Sequence, residues 1–255
     1  MADYLLFTLY SPFSSWGEIA VGEVRASKTH PGRSAVFGLI AASLGIRRND
    51  ADAIGNLHEN YGLGVKVIST GYLVKDFHTI QAARSQKSVA FRKRADELNA
   101  DPDTVGTLIS SREYRADAYY IVAIWKRGEA GMYSLDTIKY ALQNPVYVPY
   151  LGRKSCPPAC NFAPQIVENV DTLKAAFDSY QTVPFYMVNN KMEWNLNQLE
   201  RAFKSQSELY YWDDCANAGL PAMLSTERYD TVMNAPRRQY ASRRENMALV
   251  NIEEE

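Results

Sequence analysis

The sequence predicts an α+β protein: residues 1–157 form a ferredoxin-like (RRM-like) sheet with a long insertion, and residues 158–255 a small β-rich extension that completes the fold. Three observations lead there. Apolar alternation marks strands at residues 3–10, 63–69 and 119–125, helical spacing follows Pro31 and again Ser134, and about fifty mostly polar residues separate the second and third strands.

In the first strand Leu5, Phe7 and Leu9 fall on one side and Tyr4, Leu6, Thr8 and Tyr10 on the other, with Pro12 as its expected end. The helix that follows has Ser34 as its cap, Val36, Phe37, Ile40 and Leu44 on one face, and Gly45 as its stop. A helix start carries unpaired N–H groups and partial positive charge, so Arg33 and the Thr29–Ser34 loop suit a phosphate; pairing of Arg33 with an acid is the structural alternative. Leu63, Val65, Val67 and Ile68 define the second strand and Tyr-Tyr-Ile-Val-Ala-Ile-Trp the third, with an arm over about 71–118 that is too long for an ordinary connection.

Ser134 caps a helix that turns Leu135, Ile138 and Leu142 inward and closes at Pro145. Val146 to Tyr150 then reads as the fourth strand, entering a turn at Gly152-Arg153-Lys154. Strand, helix, strand, arm, strand, helix, strand is the ferredoxin-like order, which many RNA binders share. Farther on, Asp171 to Ser179 looks helical, and Thr182–Val188 and Met192–Leu196 form a hairpin turning at Asn189-Asn190. Pro184 confines its first strand to an edge. Asp213-Asp214 lacks a visible third ligand and reads as a solvated turn rather than a metal site.

At 255 residues, with 46% hydrophobic and 22% charged side chains, the chain can bury a core without disulfide or metal, and its composition excludes a disordered chain or a fibre. The longest apolar stretch, Ala35–Ile46, is far short of the roughly 20 residues that span a bilayer, and Met1-Ala2-Asp3-Tyr4 places no basic residue ahead of the apolar ones. A cytoplasmic protein with no membrane partner is expected. Of the 3 cysteines, two lie in Cys156-Pro157-Pro158-Ala159-Cys160 with no histidine nearby, so reduced thiols and no metal or cofactor are expected.

Net charge is only −1, which alone argues against a nucleic-acid partner, but the basic residues are clustered. Residues 24–48 hold Arg25, Lys28, Arg33, Arg47 and Arg48, residues 77–95 hold Arg84, Lys87, Arg92, Lys93 and Arg94, and residues 236–244 hold Arg237, Arg238, Arg243 and Arg244, none with an acid. A polyanion meets those windows rather than the average, provided the fold brings them together; otherwise each is a solvated face.

Several blocks resemble one family. Arg25, Pro31-Gly32-Arg33-Ser34, Gly38-Leu39-Ile40 and Leu44-Gly45-Ile46 resemble the first helix of the CasD family, a subunit of the type I-E CRISPR Cascade complex and part of the RAMP superfamily. Asp76-Phe77-His78-Thr79 with Arg84 is similar to the entry to that family's thumb, which identifies the arm as a thumb insertion. Tyr147-Val148-Pro149-Tyr150-Leu151-Gly152-Arg153-Lys154-Ser155-Cys156-Pro157 resembles its most distinctive block, and Pro236-Arg237-Arg238-Gln239-Tyr240-Ala241-Ser242-Arg243 its closing motif.

The resemblance implies a non-catalytic subunit that caps the five-prime handle of the CRISPR RNA. It also implies the partners: the CasC backbone subunit against the thumb, the CasA large subunit, and target DNA reached through the complex. Implied RNA contacts are Arg25, Lys28, Arg33, His78, Arg84, Tyr150, Gly152, Arg153, Lys154, Arg237, Arg238 and Arg243. Arginine supplies forked donors to phosphate and base edges, tyrosine or histidine stacks on unpaired bases, and Gly152 lets backbone N–H groups approach RNA. Tyr150 as a core residue and His78 as a satisfied structural histidine are the alternatives. Type I-C relatives cut precursor CRISPR RNA without metal, so Lys28, His30 and His78 with a nearby tyrosine form the runner-up, an endoribonuclease using general acid and base.

Overall fold

A computed structural model describes residues 1–20, 22–83, 91–181, 207–213, 217–234, 237 and 239–251. The strands are β1 (Ala2–Ser14), β2 (Val24–Arg25), β3 (Tyr61–Ser69), β4 (Tyr72–Ala83), β5 (Val105–Lys126), β6 (Gln165–Val170), β7 (Ser207–Asp213), β8 (Leu224–Asn234) and β9 (Gln239–Asn251). The helices are α1 (Arg33–Leu44), α2 (Ala51–Asn60), α3 (Arg94–Leu98), α4 (Leu135–Gln143) and α5 (Leu173–Ser179). The described strands join one sheet: seven follow the order β6-β1-β5-β3-β7-β9-β8, every neighbouring pair antiparallel, while β2 and β4 pair with β5 off that path.

The strand period of two explains why the central strands read as almost unbroken apolar runs: both faces are covered. Leu5, Phe7 and Leu9 of β1 and Tyr120, Val122 and Ile124 of β5 pack under α1 and α4. Tyr4 and Leu6, with Ile121, Ala123 and Trp125, pack under α5 instead. Each such large side chain contributes about 1.5–3 kcal/mol on full burial.

Four expectations are corrected. β1 continues through Pro12, which is exposed and lies between the pairs Ser11↔Ala118 and Phe13↔Ala116. Val146–Tyr150 is not a strand, because the N–H groups of Val146 and Tyr147 donate to the Ser43 and Ala42 carbonyls at the end of α1 (3.0 and 3.2 Å); β6 pairs with β1 in its place. Gly32, not Ser34, is the N-cap of α1. Asp213 is no solvated turn but the buried last residue of β7; Asp214 lies outside the described residues, as does the hairpin expected over 182–196. Helix α2 was not anticipated; Asp50 caps it by accepting from the Ala53 N–H at 3.1 Å.

The 22-residue β5 does two jobs. Its second half lies between β1 and β3, while its first half leaves the sheet as a ribbon with β4, in register from Tyr72↔Ala116 to Ala83↔Val105. The ribbon departs at Gly71 (φ 62°) and Asp117 (φ 55°). A Cβ on Gly71 would lie 2.1 Å from the Ala116 carbonyl oxygen, so only glycine fits that crossing.

The C-terminal strands are tied to the rest by a buried ion network. Asp213 accepts from the guanidinium groups of Arg33 (2.5 Å), Arg127 (2.6 Å) and Arg243 (2.9 Å) and from the Leu63 N–H (2.9 Å). Arg243 also donates to Asp230 (2.7 and 3.0 Å) and Glu245 (2.6 Å), and Arg228 to Glu245 (3.2 Å). Burial lowers the Arg33 pKa to about 10, whereas for Arg243 burial is outweighed by Asp230, Glu245 and Asp213, which raise it. Burial likewise lowers His58, beside Arg33, to about 3, and it lowers His30, so both rings are neutral near pH 7.

Removing Asp213 strands three guanidinium groups together, so Asp213→Ala is expected to lower unfolding free energy by about 3–5 kcal/mol in a denaturant melt. Arg127→Ala, at the open edge of the cluster, should cost less than about 1 kcal/mol. His58 is neutral in the fold but protonated in the unfolded chain below about pH 6.5, so its contribution is complete above that pH and is lost as pH falls toward about 3. Unfolding free energy should therefore be flat near neutrality and fall below about pH 6.5, by at most about 1.4 kcal/mol per pH unit for this group, with melting temperature falling alongside it. His58→Gln should flatten that fall.

Candidate nucleic-acid interface

The segment after α4 is shaped by the end of α1. Gly45 adopts φ 78° as the helix stop, the Ile46 N–H donates to the Ala41 carbonyl at 2.9 Å, and Val146 packs where a Cβ on Gly45 would sit. With its first N–H groups spent on α1, the segment presents Tyr147 and Tyr150 to solvent, both a little over 40% exposed (44% and 42%). Tyr150 is therefore a surface ring, not a core one.

Next comes a tight loop: the Cys156 N–H donates to the Arg153 carbonyl (2.9 Å) and the Leu151 N–H to the Cys156 carbonyl (2.8 Å). Gly152 (φ 85°) presses on the end of β1, and a Cβ there would lie 1.8 Å from the Ser15 carbonyl oxygen. Arg153 then donates from Nε to Ser15 Oγ (3.0 Å), lies 5.0 Å over the Tyr114 ring and approaches the Arg25 carbonyl (3.5 Å). The aromatic contact steadies the guanidinium and leaves the residue half exposed.

Arg25 lies on β2, opposite Arg112 of β5, which in turn faces Asp76 of β4. His78 follows two residues on, with Nε2 2.5 Å from Asp76 Oδ2. Lys28, half buried, pairs with Glu18 at 2.6 Å. Lys154 is exposed in the Gly152 loop, and Arg237 is exposed in the β8–β9 turn, its N–H donating to Asn234 Oδ1 (3.0 Å). The structure thus brings Arg25, Tyr150, Gly152, Arg153 and Lys154 together, puts His78 on the ribbon, and leaves Arg84 and Arg238 outside the described residues.

Two candidates are corrected. Arg33 is 1% exposed and donates to Asp213 and to the His58 and Tyr61 carbonyls, so it is an interior tie and not an RNA contact. The Arg243 side chain is only 10% exposed, with its donors spent on Asp213, Asp230 and Glu245. The phosphate site at the start of α1 is also filled from within: Asp230 Oδ2 accepts from the Arg33 N–H at 2.7 Å. The basic windows therefore do not form one cradle but divide, each of the first and third sending one arginine inward.

Beside Tyr150 lies an open cleft of about 910 Å³ between α1, α2 and the β8–β9 hairpin. Its lining includes Arg47, Arg48, Tyr147 and Tyr240, none of them among the contacts that the resemblance implies, although Arg47 and Arg48 close the first basic window and Tyr147 opens the most distinctive block. Arg112 was out of reach for a different reason, since only strand register puts it beside Arg25.

A sheet of this order carrying an exposed arginine and tyrosine track has the surface chemistry of a nucleic-acid binder. The CRISPR-associated protein family (Cas_Cas5) matches residues 4–246, and the chain belongs to that family. It is 32% identical over 167 residues to the CRISPR system Cascade subunit CasD of Escherichia coli (strain K12), covering 62% of this chain and 68% of that one. Its fold is similar to that of a chain of a CRISPR RNA-guided surveillance complex (TM-score 0.63, 24% identity, 98% and 90% of the two chains). A second similar structure is a crystal structure of a Cas protein (TM-score 0.58, 22% identity, 97% and 95%).

Gly152→Ala combines a left-handed backbone with a clash against fixed backbone. It is expected to cost at least about 1–3 kcal/mol in a thermal melt, as the loop must leave Ser15. A chain melting like the parent would show that the loop is not docked there.

Proposed function

We propose that this chain is the non-catalytic CRISPR RNA-binding subunit of a Cascade-type complex, of the I-E kind, capping the five-prime handle. One observation carries this: on a chain of the Cas5 family, Arg25, Arg153, Gly152 and Tyr150 form a continuous exposed track that reaches the cleft. The strands β6-β1-β5-β3, with α1 and α4 in the crossovers, read as the ferredoxin-like unit that holds the RNA. His78, Lys28, Lys154 and Arg237 flank the track as secondary contacts.

The ribbon is the partner surface in this reading. Tyr72, Phe77 and Leu108 are each 60% or more exposed, as an element lying against the CasC backbone subunit requires. CasA and target DNA are then reached through the assembled complex, in the cytoplasm. No described helix is long and apolar enough to cross a membrane.

The endoribonuclease alternative finds little support in the geometry. His30 is buried, stacked on Tyr211 at 3.6 Å, with Nε2 3.0 Å from Glu245 and Nδ1 3.2 Å from Thr29, while Lys28 is paired with Glu18. A general acid or base needs a free nitrogen at the reacting hydroxyl. Purified protein incubated with repeat RNA in EDTA is expected to leave it uncut; specific cuts lost on His30→Ala or His78→Ala would replace this reading with the nuclease.

Binding is tested by salt. The affinity for handle RNA should fall steeply as salt rises, and Arg25→Ala or Arg153→Ala should each flatten the slope by about one unit. Arg33→Ala should lower stability and leave the slope of the folded fraction unchanged. Copurification of the chain with CasC and a guide RNA tests the assembly, and a chain that recovers neither contradicts it.

A further inference from the structure

The cleft beside Tyr150 has features that a general phosphate track does not need. Its volume, about 910 Å³, is within the range that takes a small ligand. Tyrosines from two separate elements line it: Tyr147 and Tyr150 from the segment after α4, and Tyr240, 38% exposed, from β9. Arg47 and Arg48 at its edge are exposed, and neither has an ion pair among the described residues.

The wall formed by α1 adds an independent sign. Gly38 is exposed in the middle of the 12-residue α1, and a Cβ there would meet nothing within 4 Å. A glycine in a helix interior destabilises the helix, and here no protein atom needs the space. The missing side chain leaves a flat patch of backbone inside an aromatic-lined cleft.

We propose that this cleft is a slot for one splayed-out nucleotide of a single-stranded RNA. The base lies flat over α1 at Gly38 among the rings of Tyr147, Tyr150 and Tyr240, and the adjoining phosphates meet Arg47 and Arg48. A base paired in a duplex has no free face for those rings, so the slot selects an unpaired residue. This rests on the RNA-binding reading above and adds to it a stoichiometry of one base and four unassigned side chains: Arg47, Arg48, Tyr147 and Tyr240.

The test uses the whole chain and the handle of its copurified guide RNA, resynthesised with an abasic residue at one position at a time. One position is expected to lose about tenfold in affinity, within the range of a base–aromatic stack, and the others much less. Tyr240→Leu should weaken the intact RNA by a similar factor while binding that abasic RNA no worse than the parent does, so the two losses do not multiply. Arg47→Ala should flatten the salt slope by about one unit and leave the abasic loss in place.

Gly38→Ala gives a readout that a merely structural role would not move: melting temperature rises by about 2 °C or more while RNA affinity falls. Unchanged affinity in both Tyr240→Leu and Gly38→Ala, or abasic losses that are equal at every position or multiply with Tyr240→Leu, would overturn the slot and leave general RNA binding intact. A parent chain that binds no RNA would instead overturn the RNA-binding reading itself.

Discussion

The fold converges on the Asp213 carboxylate. It lies at the end of β7, where three guanidinium groups from α1, the end of β5 and β9 meet it together with the Leu63 N–H of β3. Asp230 and Glu245 continue the network to Arg228 and His30, so four arginines face three carboxylates inside the protein. Taking that many charges out of water is costly, and apolar residues of equal volume would hold the same elements as well or better. What the network supplies is a single geometry. Each of the four arginines meets a carboxylate from another element of the fold.

That constraint decides which arginines remain for a ligand. Arg33 and Arg243 are spent within, and Asp230 fills the start of α1 where an anion would otherwise bind. Arg25, Arg47, Arg48, Arg153 and Arg237 are left at the surface or half exposed. The partition also links stability to the site. The β8–β9 hairpin forms one wall of the cleft through Val232 and Tyr240, and the same hairpin is fixed to α1 through Asp230. Loss of the buried tie therefore displaces an aromatic wall of the cleft as well as unfolding the core.

Much of this was legible where the signal is local. Ser134 caps α4, accepting from the Thr137 N–H at 3.0 Å, Gly45 stops α1, and the alternation in β1 and β5 sorts side chains onto two covered faces. Local signal also misled. Val146–Tyr150 has the composition of a strand, but its N–H groups go to the end of a helix, and the strand that pairs with β1 is the weaker-patterned Gln165–Val170. Arg33 looked like a ligand contact because its partner Asp213 is 180 residues away, and no window of sequence shows such a pair. Of the site, Arg153, Tyr150 and Tyr240 lie in dense motifs, but only tertiary placement puts Tyr240 in the cleft with Tyr150 and Arg112 beside Arg25.

The central claim is a division of labour among arginines, inward ones building the fold and outward ones meeting RNA. Chemical modification of arginine side chains, mapped by mass spectrometry with and without handle RNA, tests it directly. The account predicts that Arg25, Arg47, Arg48 and Arg153 react in the free chain and are protected by RNA, while Arg33 and Arg243 stay unreactive in both. Reaction and RNA protection at Arg33, or no protection at Arg25 and Arg153, would contradict it.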